Sequence, residues 1–225
     1  MTNGIRYHKR DFWGTENLKY ATPHFRMRKV ARVIRSVVAA RGRGGAAGGR
    51  ELNLLDVGCG PGTLARLLPD GVRYHGIDIA ITSPAPNLAE VDIVENPIAF
   101  GDKRFGIVVA QGLFEYLGDV QARKLGEIAA LLDEGGTFIC TYQNFAHRKQ
   151  DVYWPYSNVQ QPRDFRRDIE RHFRIEKAFP TAYNWSHAYP NRALARLPQE
   201  RWSVNVPLIG HLLAVDYCYV CSPLS

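Results

Sequence analysis

The stretch that decides the fold is residues 52–64, LNLLDVGCGPGTL. Its first half, LNLLDV, reads as a buried strand. The glycines that follow turn the chain sharply, because glycine enters conformations that other residues avoid. GTLARLLP then reads as a short helix. A strand, a glycine loop and a helix begin a βαβ crossover, and in a doubly wound sheet the ligand sits beyond the carboxyl ends of the strands. The register of the glycines separates ligand classes. A dinucleotide loop has the form G-x-G-x-x-G, which from Gly58 requires glycine where Thr63 stands. This loop is G-x-G-x-G (Gly58, Gly60, Gly62) and is preceded by Asp56. A carboxylate so close suits a ligand bearing an ammonium group and repels a pyrophosphate. Asp78 ends the next strand, twenty residues after Gly58, where a carboxylate can accept from two ribose hydroxyls. The bland alternatives are a bare strand-to-helix turn and a turn-capping aspartate.

Outward from this unit, strands and helices alternate. VRYHGIDIA, LAEVDIV and FGIVVAQ read as strands two to four, DVQARKLGEIAALLD as a helix, and GGTFICTYQ as strand five. RDFRRDIERHF reads as a helix, RIEKAFPTA as strand six and LLAVDYCYVC as the last strand. The expected fold is α/β: a doubly wound, Rossmann-like, seven-stranded sheet, mostly parallel with an antiparallel last strand, and helices on both faces. On the N-terminal side, residues 1–20 read as irregular. HFRMRKVARVIRSVVAA places Phe25, Val30, Val33, Ile34, Val37 and Val38 on one helical face, and RGRGGAAGGR reads as a glycine-rich linker. The chain thus divides into a basic N-terminal helical cap and linker (1–50) and a sheet domain (51–225). Capping loops are expected at 143–161 and 181–213, with a candidate helix around NRALARL.

The 225 residues suit one domain of ordinary size, and 45% apolar residues suffice for a core. Net charge is +7, but residues 1–50 hold twelve Lys/Arg against two Asp/Glu, a balance of +10 that leaves −3 for the rest. A basic segment of this kind meets nucleic acid, a phosphorylated substrate or an anionic surface, or is simply a solvated helix face. Four cysteines are too few for a disulfide scaffold, and Cys218 and Cys221 in a strand point to opposite faces. The N-terminus lacks the apolar core of a signal peptide and no stretch is long enough to span a membrane, so a cytoplasmic protein is expected. No cluster has metal-ligand spacing, so no metal is expected.

Taken in order, these motifs resemble the class I S-adenosylmethionine-dependent methyltransferases. LLDVGCGPGTL is similar to their first motif, HGIDIA to the second, VDIVENP to the third, FGIVVAQGLFEYLGD to the fourth and LLDEGGTFICTYQN to the motif around strand five. The likeness spans roughly residues 20–180. It implies S-adenosylmethionine as cofactor and S-adenosylhomocysteine as product. It also implies roles: Gly58, Gly60 and Gly62 around the amino-acid part, Asp56 beneath it, and Asp78 on the ribose. Ile79 and Ile93 would pack on the adenine, Asp92 would accept from its amino group, and Gln111 and Gly112 would line the methionine side. Tyr20, His24 and Arg26 would close over the cofactor, a cation there pairing with its carboxylate, or merely anchor the first helix.

The methyl acceptor is less legible. The segment after strand four has neither the Asn/Asp-Pro-Pro-Tyr/Phe of DNA amino-methyltransferases nor a Pro-Cys nucleophile. Tyr116 stands where many small-molecule members carry histidine, and is a candidate catalytic group or a packing wall. His147 and His187 are candidate bases because imidazole titrates near neutrality. Aromatic and polar residues outside the regular elements make a candidate acceptor surface: Phe12, Trp13, Tyr142, Asn144, Tyr153, Trp154, Tyr156 and Trp185. The expected activity is methyl transfer to an oxygen or nitrogen of a small molecule such as a natural product, sugar or lipid-linked glycan. Alternatives are an RNA methyltransferase and a non-catalytic cofactor-binding subunit of a complex. A dehydrogenase is disfavoured by the glycine register.

Overall fold

The apolar runs become seven strands among the residues that the computed structural model describes, namely 10–43, 51–144, 160–183 and 214–224. They are β1 (Leu52–Val57), β2 (Val72–Asp78), β3 (Leu88–Glu90), β4 (Phe105–Gln111), β5 (Leu132–Gln143), β6 (Phe173–Tyr183) and β7 (Ala214–Pro223). They form one sheet in the order β3-β2-β1-β4-β5-β7-β6. β1 to β5 pair in parallel, and β7 is antiparallel to both β5 and β6. This is the Rossmann-like sheet expected from the alternation. Strand order reverses between β1 and β4, so the crevice of a doubly wound sheet opens at their carboxyl ends.

Side chains alternate between two core layers. On one face, α2 (Phe25–Arg43) lays Val30, Ala31 and Ile34, all fully buried, against Leu54, Ile107, Val109 and Ile139. The periodicity seen in the sequence is therefore a packing periodicity, and each large side chain it buries contributes about 1.5–3 kcal/mol. Arg41 fixes the far end of this helix. Its Nη2 donates to the carbonyls of Gly106 (2.9 Å) and Gly135 (2.6 Å) and to Thr137 Oγ1 (3.3 Å), where β4 and β5 begin. On the other face, α3 (Gln121–Leu131) and α4 (Pro162–Glu170) cover a ring-rich core. There Tyr142 stacks on Phe165 at 3.9 Å. Cys221 belongs to this layer and Cys218 to the other, as strand geometry requires, and all four cysteines are free and buried.

Three local expectations need correction. Residues 10–20 are not irregular: α1 (Arg10–Glu16) is followed by a 3-10 turn at Asn17–Tyr20. A seven-residue helix with glycine in it has little intrinsic stability, so its conformation rests on contacts made by Trp13 and Asn17 rather than on local pattern. The segment after the glycine loop is a 3-10 turn (Thr63–Leu67), and β3 is only three residues long. Asp92 consequently lies in a loop rather than in a strand. That loop is held by α3: the wholly buried Lys124 donates to Asn96 O (2.8 Å) and to both Glu127 oxygens, while Glu127 Oε2 also accepts from Ile98 N. Among the described residues, no helix is long and apolar enough to cross a membrane.

His75 on β2 is buried between the rings of Phe100 (4.8 Å) and Phe105 (5.7 Å), and neither ring nitrogen has a hydrogen-bond partner among the described residues. Burial, then Lys103 and Arg73, push its pKa below the usual 6.5. The unfolded chain therefore binds a proton that the folded chain resists, and stability present above the unfolded pKa is lost as pH falls below it. His75→Phe should be more stable than wild type by roughly 1 kcal/mol at pH 7. Its advantage should widen at pH 5 in urea unfolding, and a gap that stays constant with pH would contradict this account.

Candidate functional site

At the crevice, three left-handed glycines shape the loop after β1, Gly62 (φ 70°) closing it. Gly58 has φ 73° and Gly60 φ 55°, conformations that cost other residues about 1–2 kcal/mol. A Cβ on Gly58 would lie 2.9 Å from Leu113 Cδ1, so the backbone here meets the loop after β4. Gly60 presents its N–H to Asp78 Oδ2 at 2.8 Å. Asp78 Oδ1 accepts from Ala80 N (3.0 Å) and from Asn17 Nδ2 (3.1 Å), and Asn17 Nδ2 also reaches Ala80 O. A carboxylate has about four acceptor sites, and three here are filled by the chain. Asn17 thus pins the N-terminal segment to the carboxylate that ends β2.

The cavity so formed is lined by Trp13, Asn17, Tyr20, His24 and Arg26 from the N-terminal side and by Asp56, Gly58, Gly60, Asp78 and Ile79 from β1, β2 and their loops. Asp92, Ile93, Gln111, Gly112, Glu115, Tyr116 and Gln143 complete the wall. Its volume is about 180 Å³. A single water needs about 10–15 Å³, so the space is that of a ligand and not of an ion.

Twelve of the thirteen cofactor residues expected from sequence meet here. The exception is Gly62, which faces Leu88 and Tyr74 in the turn behind the loop. Tyr116 and Trp13 also reach the cavity and pack edge-to-face at 4.7 Å, while Phe12 stands behind Trp13 at 5.1 Å. Tyr142 and Asn144 do not line it. Tyr142 is fully buried in the ring core with its hydroxyl accepting from Gln160 N, and Asn144 donates to Ala214 O. His147, Tyr153, Trp154, Tyr156, Trp185 and His187 lie outside the described residues.

Electrostatics separates the roles of the closing segment. His24 is not a cation: burial and then Arg26 push its pKa down to about 4. Its Nδ1 accepts from Met27 N at 3.4 Å, so it caps α2. Arg26 is the cation. Burial works against its charge, but Asp216 and Glu115 outweigh burial and hold its pKa above the ordinary value. Arg26 Nη1 lies 3.2 Å from Asp216 Oδ2, and a Cβ on Gly112 would stand 2.7 Å from that same nitrogen. Asp56 accepts from Tyr74 Oη at 2.9 Å, and burial pushes its pKa to about 7. Glu115, also buried, is pushed up to about 7 by burial; its Oε1 accepts from Gln143 N at 2.7 Å.

Sequence reasoning missed Asn17, Glu115, Gln143 and Asp216. Two had a readable signal: Glu115 is the one acid in LFEYL and Asp216 the one acid in AVDYCYVC, and a lone carboxylate in an apolar run needs a partner when buried. Asn17 and Gln143 had none, because their roles come from contacts across the fold.

Against known families, a model described as Methyltransferase domain matches residues 24–199. The chain belongs to this methyltransferase family. Among curated proteins, no sequence matches this methyltransferase. Solved structures share its fold at low identity. The CcbJ methyltransferase from Streptomyces caelestis is 15% identical with a TM-score of 0.58, over 91% of this chain and 92% of that one. The putative methyltransferase solved in complex with the Trm112 activator of Haloferax volcanii is 18% identical with a TM-score of 0.55, over 83% and 89%. The N-methyltransferase NodS from Bradyrhizobium japonicum, solved with S-adenosyl-L-homocysteine, is 13% identical with a TM-score of 0.52, over 85% and 87%.

The cofactor of this methyltransferase is S-adenosylmethionine, and the cavity fits it. Of the described residues, four carboxylates line it (Asp56, Asp78, Asp92 and Glu115) against one charged cation, Arg26. That balance suits a ligand carrying a sulfonium and an ammonium, and opposes a pyrophosphate. Among the described residues, Gln111 Oε1 and Glu115 Oε2 are buried acceptors without a hydrogen-bond partner. Gly58→Ala should lower stability by about 1–2 kcal/mol through its left-handed backbone. It should also weaken S-adenosylhomocysteine binding at least tenfold by displacing Leu113. Melting and calorimetry on the same variant would check both, and an unchanged affinity would remove the loop from the site.

Proposed function

We propose that this methyltransferase moves the methyl group of S-adenosylmethionine to an oxygen or nitrogen atom of a small molecule, a natural product, sugar or lipid-linked glycan being the classes in view. The observation that carries the reading is the roof. Trp13, Asn17, Tyr20 and Arg26 cover the crevice beside the end of β4, so the acceptor meets an enclosed, partly aromatic space. Bound there, the cofactor supplies a methyl group on a positively charged sulfur, with its leaving group already activated. What remains for the chain is to bind, align and exclude water.

In this reading Asp78 holds the ribose with its remaining acceptor site, and Ile79 and Ile93 sandwich the adenine. Asp92 accepts from the adenine amino group; its Oδ1 also caps its own turn by accepting from Val94 N at 3.0 Å. Gly58, Gly60, Gln111 and Gly112 surround the methionine part. Asp56, near half-ionised alone, is drawn to its charged form by the ammonium, and Arg26 meets the carboxylate.

Methylation of RNA is the second reading. It is favoured by Arg28, Arg32 and Arg35, all exposed along α2, and by the +10 balance of residues 1–50. Such binding would weaken steeply with salt. The Haloferax neighbour's association with Trm112 makes dependence on a small activator a version of either reading.

Calorimetry tests the core of the proposal. S-adenosylhomocysteine should bind wild type in the micromolar range and bind Asp78→Ala at least tenfold more weakly, with NAD silent. Failure of wild type to bind, alone and with a Trm112-type activator, would overturn it. Retention of RNA in gel shifts, lost between 50 and 200 mM salt, would replace the small-molecule reading with the second one.

A further inference from the structure

The cavity contains one carboxylate that the cofactor reading pairs with no particular group of the ligand. Glu115 is 1% exposed and lines the cavity four residues beyond Gln111, at the end of β4. Its two oxygens differ. Oε1 accepts from Gln143 N at 2.7 Å, while Oε2 has no hydrogen-bond partner among the described residues. The nearby cation does not settle it, since Arg26 makes its ion pair at 3.2 Å with Asp216. A buried, unpaired carboxylate oxygen is costly unless a donor arrives. The same cavity is lined by two rings, Trp13 and Tyr116, packed edge-to-face at 4.7 Å. A carboxylate with an aromatic wall is the combination that receives an organic ammonium, by charge on one side and by ring quadrupole on the other. The carboxylate excess of the cavity works the same way: it attracts a cationic acceptor and repels an anionic one.

We infer that the acceptor of this methyltransferase is a primary or secondary amine, and that Glu115 Oε2 binds its ammonium form and takes its proton. The inference rests on the methyltransferase reading above and narrows it from oxygen or nitrogen to nitrogen. In the first step an N–H bond of the ammonium breaks, its electron pair stays on nitrogen, and the proton passes to Glu115 Oε2. In the second step that lone pair forms the N–C bond as the S–C bond of the methyl donor breaks, with the S–C electron pair remaining on sulfur. The product is a methylated ammonium, and Glu115 gives its proton to solvent when the product leaves. Glu115 Oε1, held by the Gln143 amide, keeps the carboxylate aimed while Oε2 does the chemistry.

The test is binding to the protein saturated with S-adenosylhomocysteine. The probes are three amines, each with its hydroxyl counterpart: phenethylamine and 2-phenylethanol, cyclohexylamine and cyclohexanol, glucosamine and glucose. At least one amine should bind ten times or more tightly than its alcohol. Glu115→Gln, which keeps an oxygen for the Gln143 amide, should abolish that preference when measured on protein still saturated with S-adenosylhomocysteine. Turnover of the preferred amine with labelled methyl donor should fall at least a hundredfold in the same variant and recover in part in Glu115→Asp. Equal binding of amines and alcohols, no binding of any amine, or a preference that survives Glu115→Gln would overturn the inference. The wild-type comparison decides even if the variants fold poorly. Failure of S-adenosylhomocysteine itself to bind wild type would instead strike the underlying methyltransferase reading.

Discussion

The carboxylate of Asp78 is the knot of this molecule. It ends β2, receives Gly60 N at 2.8 Å from the glycine loop, Ala80 N at 3.0 Å from its own turn, and Asn17 Nδ2 at 3.1 Å from the N-terminal segment. Three stretches far apart in sequence are thereby held around one buried charge. Charge-assisted hydrogen bonds are the strong ones, about twice a neutral bond in strength. Without them, a carboxylate at this depth would be an expense with no return. The glycine loop, the strand end and the roof of the cavity are therefore one unit. Burial still raises the pKa of Asp78, against the hydrogen bonds that lower it. The group is satisfied without being made strongly acidic, and it remains responsive to a further donor.

A second tier of contacts holds the Asp92 side of the cavity. The loop with Asp92 and Ile93 has no strand of its own to define it, β3 ending at Glu90. Its position is set by α3, through Lys124 and Glu127 near the wall's base and through Arg123 Nη2, which donates to Val94 O at 3.1 Å. A fully buried lysine is tolerated only because each donor has a place to go. The two halves of the cavity are thus supported by unlike means. The glycine-loop side depends on backbone conformation and the Asp78 carboxylate, the Asp92 side on the ion pair of the buried Lys124 with Glu127 in α3.

Much of this was legible in the residues. The parallel strands are runs of apolar residues too short for helices, the α2 stripe has helical spacing, and the G-x-G-x-G register with Asp56 and Asp78 marks the crevice. These are local patterns, and local patterns survive folding when packing agrees with them. What was not legible depended on partners. RDFWGTENLKY has no pattern that predicts a helix; it becomes one because Asn17 finds Asp78 and Trp13 finds Tyr116. Tyr142 looked like a cleft aromatic from its place near the end of β5, but a strand residue faces whichever layer its parity dictates, and its parity points to Phe165 and the core. His24 looked like a cation until its surroundings were known: burial and the guanidinium of Arg26 keep it neutral. Glu115 was read past because its neighbour occupied the position where histidine is common.

The sheet order has a consequence for how the protein is made. β7 lies between β5 and β6, although it is the last of the seven strands to be synthesised. Until it arrives, β5 and β6 each present an open edge, and Arg26 in α2 lacks Asp216. A ribosome-bound chain interrupted before Ala214 is thus doubly exposed, with two adhesive edges and the Arg26 guanidinium without its counter-ion. Local units such as β1 with the glycine loop and β2 can form early during translation, but closure of the site waits for the final strand. Nascent chains of this protein are therefore natural clients for chaperones until β7 has emerged, and release from them should coincide with its pairing.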